Sequence, residues 1–258
     1  MTTKLLIAFV MIPLLVYAGL CGLMYAKQRD LTYFPGFTRV DASQTDFELR
    51  RDDVVLRGWR FNPGRRHAVI YFGGNAESIQ HMRGHLAAWV PDHSHYLLAY
   101  RGYGASEGRP EEDLLFADAL ALYDHVASEP GRETISVIGR SLGSGVASYV
   151  ASQRPVHRLV LVTPFDSLAG VASHHYPWLP ANRLIRDRYD SARHLADHRG
   201  PVMIVRAGRD QVIPADSTER LAAALGVAPT LLVLPTADHD SALADPADGG
   251  AVATFLTD

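Results

Sequence analysis

Two serines in the chain lie between glycines two positions away on either side: Ser141 in VIGRSLGSG (Val137–Gly145) and Ser106 in GASEG (Gly104–Gly108). Such a serine can be a nucleophile held on a tight turn or an ordinary polar turn residue, and the pattern alone does not decide. The flanking sequence does. A nucleophile elbow needs a strand running straight into the serine and a helix starting straight after it. The strained turn then lifts the hydroxyl above the sheet, and the helix N-terminus faces a developing oxyanion. Ser141 follows the apolar run TISVIG and precedes LGSGVASYVASQ, whose Gly143, Gly145 and Ala147 permit close strand–helix approach. Ser106 is followed by Pro110, and a helix begins only near Glu111, which fits a polar turn. Ser141 is the candidate nucleophile and Ser106 a loop residue.

A serine hydroxyl is a poor nucleophile until a base takes its proton, and the base needs a carboxylate to hold its tautomer. Where an elbow joins a strand to a helix, the chain order is serine, acid, histidine, each at the C-terminal end of a strand. Of the twelve histidines, six precede Ser141, His157 opens a strand at the wrong end, and His174 and His175 fall in a long connection. His194 and His198 precede the next strand, which leaves His239, in PTADHD after the last strand, as the base. Most of the other histidines read as surface residues. Asp210 in RAGRDQVIP is the candidate acid, and Asp166 in TPFDS, one strand earlier, is its competitor. Loop aspartates also serve as Asx-turn residues. Asp238 and Asp240 flank His239 and are poorly placed to orient its ring. Acyl transfer also needs backbone donors for the oxyanion. The candidates are the N–H of Leu142 at the helix start and that of Asn75, after two glycines in FGGNAES.

These residues require a sheet to hold them. HAVIYF, HYLLAY, TISVIG, RLVLVT, PVMIVRA and TLLVLP are short continuous apolar runs, as strands buried on both faces of a parallel sheet read. The spacing predicts helices over Ala76–Val90, Glu111–Ser128, Leu142–Gln153, Ser217–Leu225 and Ala247–Leu256. Thr45–Leu49 and Val54–Phe61 alternate polar and apolar, as an antiparallel hairpin at a solvent edge would. The expected fold is α/β, a mostly parallel sheet with helices on both faces, led by that hairpin. Between Thr163 and Pro201 lie 37 residues, an insertion at about 165–200 of the length that usually makes a cap or lid. Leu168–Ser191 is the candidate lid, and its Tyr176, Trp178 and Leu179 are candidates to line an apolar substrate pocket, with plain core packing as the alternative.

Leu5–Ala26 is a run of 22 residues without a charge, enough to cross a hydrocarbon layer of roughly 30 Å as a helix. It is too long for a signal-peptide core and lacks a good cleavage site, and Leu20 before Cys21 does not suit a lipoprotein cysteine. The expected organisation is an N-terminal single-pass anchor over 1–29 and one globular domain over 30–258. The positive-inside rule leans towards a cytoplasmic domain but leaves the side open, because basic residues flank both ends of the span. A net charge of −3 excludes an electrostatic nucleic-acid partner, and a single cysteine excludes a disulfide framework. No histidine–carboxylate cluster has metal-ligand spacing, so no metal or organic cofactor is expected.

With those segments placed, the chain past residue 30 resembles the serine α/β-hydrolase superfamily. More narrowly, it resembles a branch of membrane-anchored hydrolases with one N-terminal helix. The matching segments are LTYFPG, FGGNAES, YRGYGASEGRP, GRSLGSGVA, TPFDSL, YPWLP and AGRDQVIP, in order. The resemblance implies a Ser–Asp–His esterase- or thioesterase-like fold and carries Ser141, Asp210 and His239 into those roles. It also implies that YRGYGASEG is a loop near the site. One departure is Gly73, where relatives often have histidine. The expectation is a membrane-anchored hydrolase of an ester or thioester with a small-molecule or acyl substrate, lipids and lipidated molecules included. The alternatives are an aminopeptidase-like enzyme of the same fold and a non-catalytic membrane-bound scaffold. A scaffold would be expected to lack a member of the set, and all three are present.

Overall fold

The computed structural model describes residues 3–51, 53–244 and 246–258. Eight strands form one sheet: β1 (Phe47–Arg51), β2 (Val54–Phe61), β3 (His67–Phe72), β4 (His93–Leu98), β5 (Thr134–Arg140), β6 (Leu159–Val162), β7 (Val202–Ala207) and β8 (Thr230–Leu234). Their spatial order is β1-β2-β4-β3-β5-β6-β7-β8. β1, β2 and β4 pair antiparallel, and every pair from β4 through β3 to β8 is parallel. The helices are α1 (Thr3–Thr32), α2 (Met82–Trp89), α3 (Glu112–Ala127), α4 (Leu142–Gln153), α5 (Leu168–His175), α6 (Ala181–Leu184), α7 (Ser191–Leu195), α8 (Ala215–Ala224) and α9 (Pro246–Thr257).

Burial explains why the central strands are mostly apolar, with His93, Ser94, His95 and Ser136 the polar residues buried in them. All residues of β4 and β6 are buried, and in β3, β5 and β7 only His67, Thr134, Arg140 and Arg206 are not. Strands covered on both faces favour apolar side chains at most positions. α2 packs with α9, while α4 packs with α3 and α7. α3 buries Leu115, Ala119, Leu122 and Val126, a three-to-four-residue spacing that places one stripe against the sheet. Its opening Glu112 and Asp113 sit in the first turn, where the helix dipole favours acids.

The sheet departs from the sequence expectation in two places. β8 is as apolar as its neighbours, yet Thr230, Leu231 and Val233 are exposed, because β8 is an edge strand. The helix expected to begin at Ala76 begins at Met82, after a single 3-10 turn at Ile79–His81. The Glu77 carboxylate accepts a hydrogen bond from the Gly74 N–H (2.8 Å), and this turn takes the residues a longer helix would have used.

The strand order reverses between β3 and β5, the first pairing with β4 on one side and the second with β6 on the other. Such a switch point leaves a crevice beyond the C-terminal ends of the two strands. Gly73–Asn75 and Ser141 lie at those two ends. The connection 163–201 between β6 and β7 carries α5, α6 and α7. α1 extends to Thr32 and is long and apolar enough to cross a membrane. Between Phe9 and Ala26 every residue is exposed except Cys21 and Met24, which are half-buried.

Candidate active site

The turn from β5 into α4 is held by close packing of glycines. A Cβ on Gly139 would lie 2.3 Å from the Gly143 carbonyl oxygen, and one on Gly143 would lie 2.1 Å from that of Phe72. No side chain fits either place, so these glycines let α4 start directly against β3 and β5. Ser141 between them has φ 49° and ψ −118°, a left-handed conformation rare for a residue with a side chain. Such strain costs on the order of 1–3 kcal/mol and persists only where its surroundings enforce it. It presents the hydroxyl at the helix N-terminus, with the serine itself 9% exposed.

The Ser141 hydroxyl lies 2.9 Å from His239 Nε2, and His239 Nδ1 lies 2.8 Å from Asp210 Oδ2. A carboxylate can only accept, so Nδ1 carries the proton and Nε2 is the acceptor facing the serine. The other oxygen of Asp210 accepts from the Val212 and Ile213 N–H groups, each at 2.8 Å. Asp210 is therefore a turn-forming aspartate and the partner of the ring at once. Asp166 lies elsewhere: its carboxylate takes the Ser217 hydroxyl (2.5 Å) and the Arg220 guanidinium (2.9 and 3.2 Å) at the start of α8. Ser106 is 2% exposed, donates to the Ala99 carbonyl (2.8 Å) and accepts from the Arg57 N–H (2.8 Å), the contacts of a structural serine.

Asn75 and Leu142 both line the cavity that Ser141 faces. The N–H of Leu142 is at the first position of α4, where no intrahelical acceptor exists. The YRGYG segment supports the loop opposite. The Tyr100 hydroxyl donates to the Gly73 carbonyl (2.9 Å) and the Tyr103 hydroxyl to that of Asn75 (2.7 Å). Burial raises the pKa of both tyrosines, which keeps them neutral donors. The Asn75 side-chain amide donates in turn to the Thr32 carbonyl at the end of α1 (3.1 Å).

Two residues that the sequence did not single out connect the site's halves. Glu77 accepts from the Gly74 N–H and from the Tyr71 hydroxyl (2.6 Å), and lies 3.5 Å from Arg140, the residue before the serine. Arg140 also donates to the carbonyls of His239 (3.2 Å) and Asp240 (2.8 Å). Burial lowers the Arg140 pKa, and the Glu77 carboxylate together with Tyr71 and Asp240 more than offsets it, so the guanidinium stays charged. The arginine inside the G-R-S-L-G pattern and the glutamate two residues after Asn75 were the available signals.

The cavity beside Ser141 has a volume of about 240 Å³ and mostly apolar walls. Tyr176 and Leu179 line it together with Phe165, Val171 and Ile213. Trp178 does not line it. It is 50% exposed and meets Tyr176 edge-on, with ring centroids 6.4 Å apart. Five lining residues come from α1: Met24, Tyr25, Gln28, Leu31 and Thr32. Among the described residues no group of three or more histidines, cysteines and acids is placed to hold a metal ion.

A family model described as an alpha/beta hydrolase domain matches residues 89–249. An uncharacterized protein of Mycobacterium tuberculosis is 38% identical over 247 residues, which cover 90% of this chain and 87% of that one. A lysophosphatidylserine lipase of Danio rerio is 31% identical over 143 residues, 47% of this chain and 37% of that one. Among solved structures, Est1E from Butyrivibrio proteoclasticus with ferulic acid bound superposes with a TM-score of 0.67 at 15% identity, covering 82% of this chain and 98% of that one. The fold is thus shared with Est1E, and the match to the Mycobacterium tuberculosis protein spans most of the chain. The chain belongs to the alpha/beta hydrolase family, and it is a hydrolase.

Proposed function

We propose that the protein is a membrane-anchored serine hydrolase that cleaves an ester or thioester through an acyl-enzyme. The observation that carries this reading is the hydrogen-bonded chain from Ser141 through His239 to Asp210, with links of 2.9 and 2.8 Å, at the wall of an apolar cavity. In this mechanism His239 Nε2 takes the proton as the Ser141 oxygen attacks the substrate carbonyl. Asp210 holds the ring and stabilises the imidazolium that forms. The Asn75 and Leu142 N–H groups receive the oxyanion, where fixed donors in a water-poor site act most strongly. His239 then returns the proton to the leaving alcohol or thiol, and the acyl group stays on the serine. A water molecule, deprotonated by His239, attacks that ester, and His239 gives the proton to the Ser141 oxygen as its bond to the acyl carbon breaks and the acid leaves.

The apolar walls support an acyl substrate, with Tyr176 and Leu179 in contact with the chain and the connection 163–201 serving as the lid. The lysophosphatidylserine lipase of Danio rerio and the ferulic acid bound to Est1E are in keeping with ester chemistry. α1 serves as the anchor, in a division of the chain near residue 30. Labelling of membranes with a fluorophosphonate probe tests the nucleophile. Wild type is expected to label and Ser141→Ala to remain blank, and equal labelling of the two would overturn the assignment. Esters and thioesters of graded length then test the substrate class, with negligible turnover of all of them favouring an amide substrate or a binding protein.

A further inference from the structure

The end of α1 contributes more than a tether requires. Its residues Met24, Gln28 and Leu31 recur at four- and three-residue spacing, so they occupy one face of the helix. That face forms one wall of the cavity beside Ser141. Opposite it, Tyr176, Leu179 and Leu184 come from the connection between β6 and β7.

The gap between these walls is fixed by directional contacts. The Gln28 amide donates to the Leu184 carbonyl (3.2 Å), and its oxygen accepts from the Arg186 N–H (2.6 Å). Arg29 grips both oxygens of Asp187 (3.1 Å each) and reaches Glu111 (2.7 Å). Tyr33 donates to the same aspartate at 2.9 Å, and Asp187 is 5% exposed. Paired, buried and shared contacts of this kind hold two elements in one register, whereas apolar contact alone would let the helix turn about its axis. The helix is also joined to the loop opposite the serine. The Thr32 carbonyl accepts from the Asn75 amide, and the Phe34 N–H points at the Asn75 carbonyl (3.2 Å).

We infer that the last turns of α1 are part of the acyl-binding site. Met24 and Leu31 determine how long an acyl chain the site accepts, and the latch around Asp187 keeps them in place. This rests on the proposed acyl-hydrolase activity. It assigns specificity to a segment that composition alone marks as an anchor.

The test uses the full-length protein in detergent micelles and p-nitrophenyl esters from butyrate to decanoate. Met24→Trp and Leu31→Trp fill the cavity from the helix side. Val16→Trp makes the same change on the same helix at a residue that is 65% exposed and does not line the cavity beside Ser141. Steric exclusion of a few methylenes is expected to lower the decanoate-to-butyrate ratio of kcat/KM by about tenfold or more in the first two variants. The third should stay within about twofold of wild type. Fluorophosphonate labelling of each variant reports an intact nucleophile. An unchanged ratio in both Met24→Trp and Leu31→Trp, with labelling retained, overturns the role of the helix and leaves the hydrolase reading standing. Failure of wild type to cleave any ester overturns the hydrolase reading, and the role of the helix with it.

Discussion

Arg140 faces the Glu77 carboxylate across 3.5 Å while its other amino group donates to the carbonyls of His239 and Asp240. One guanidinium thus spans from the loop after β3 to the loop that carries the histidine. Arg140→Leu frees both loops without touching the cavity wall. Displacement of reacting groups by about 1 Å can cost on the order of 100-fold in rate. The expected result is a kcat lower by about 10- to 100-fold with KM within about threefold, read by steady-state ester hydrolysis. A KM effect with kcat preserved would mean that Arg140 acts on substrate binding instead.

Asp210 and Asp166 are separated by their partners, and the separation is measurable. Asp210→Asn keeps the shape but cannot hold the imidazole in the tautomer that accepts from serine. A loss on the order of 10³- to 10⁴-fold in kcat is expected. Asp166→Asn weakens the contacts with the half-exposed Arg220 and with the Ser217 hydroxyl, both away from His239, so the rate should stay within about twofold and stability within about 1 kcal/mol. The reverse ranking would exchange their roles.

Most histidines other than His239 read as surface residues, and two are buried: His93 at 7% and His95 at 0% exposed. Both begin the apolar β4, and the His95 Nε2–H donates to the Val90 carbonyl (2.9 Å). Burial lowers the pKa of His95 to about 4 from 6.5. The fold therefore holds the neutral ring. Its contribution is complete above the unfolded-state pKa near 6.5 and is lost as pH falls from there towards 4. Between pH 7 and 4.5 the wild-type unfolding free energy should fall by about 2.5 kcal/mol more than that of His95→Leu. Denaturant unfolding in micelles at the two pH values checks this, and parallel pH slopes would refute it.

The sequence made the elbow legible because its requirement is local: an apolar run before Ser141 and small residues directly after it. His239 was reached by elimination along the chain, since only one histidine follows the last strand. Asp210 and Asp166 stayed in competition, because each follows a strand and only the fold decides which one faces the ring. The Arg140–Glu77 contact was out of reach, as it joins residues 63 positions apart that no periodicity relates. Exposure of β8 follows from its place at the sheet edge, which an apolar run cannot signal. The wall formed by α1 was hidden for another reason. A helix apolar all round carries no amphipathic stripe, so nothing marks the face that Met24 shares with the cavity.

The Tyr17 hydroxyl donates to the Trp178 carbonyl at 2.8 Å, nine residues before Ala26. At 1.5 Å per residue, the tip of the connection between β6 and β7 reaches about 14 Å back along the helix. With α1 in a bilayer, that tip would lie among lipid tails, beside Tyr176 of the cavity wall. An acyl chain arriving from the same leaflet would pass from one oily phase to another. The transfer from water, worth about 0.8 kcal/mol per methylene, is then already spent on partitioning and adds nothing to binding. Discrimination between chains would rest on shape at Met24 and Leu31 and on the polar end of the molecule.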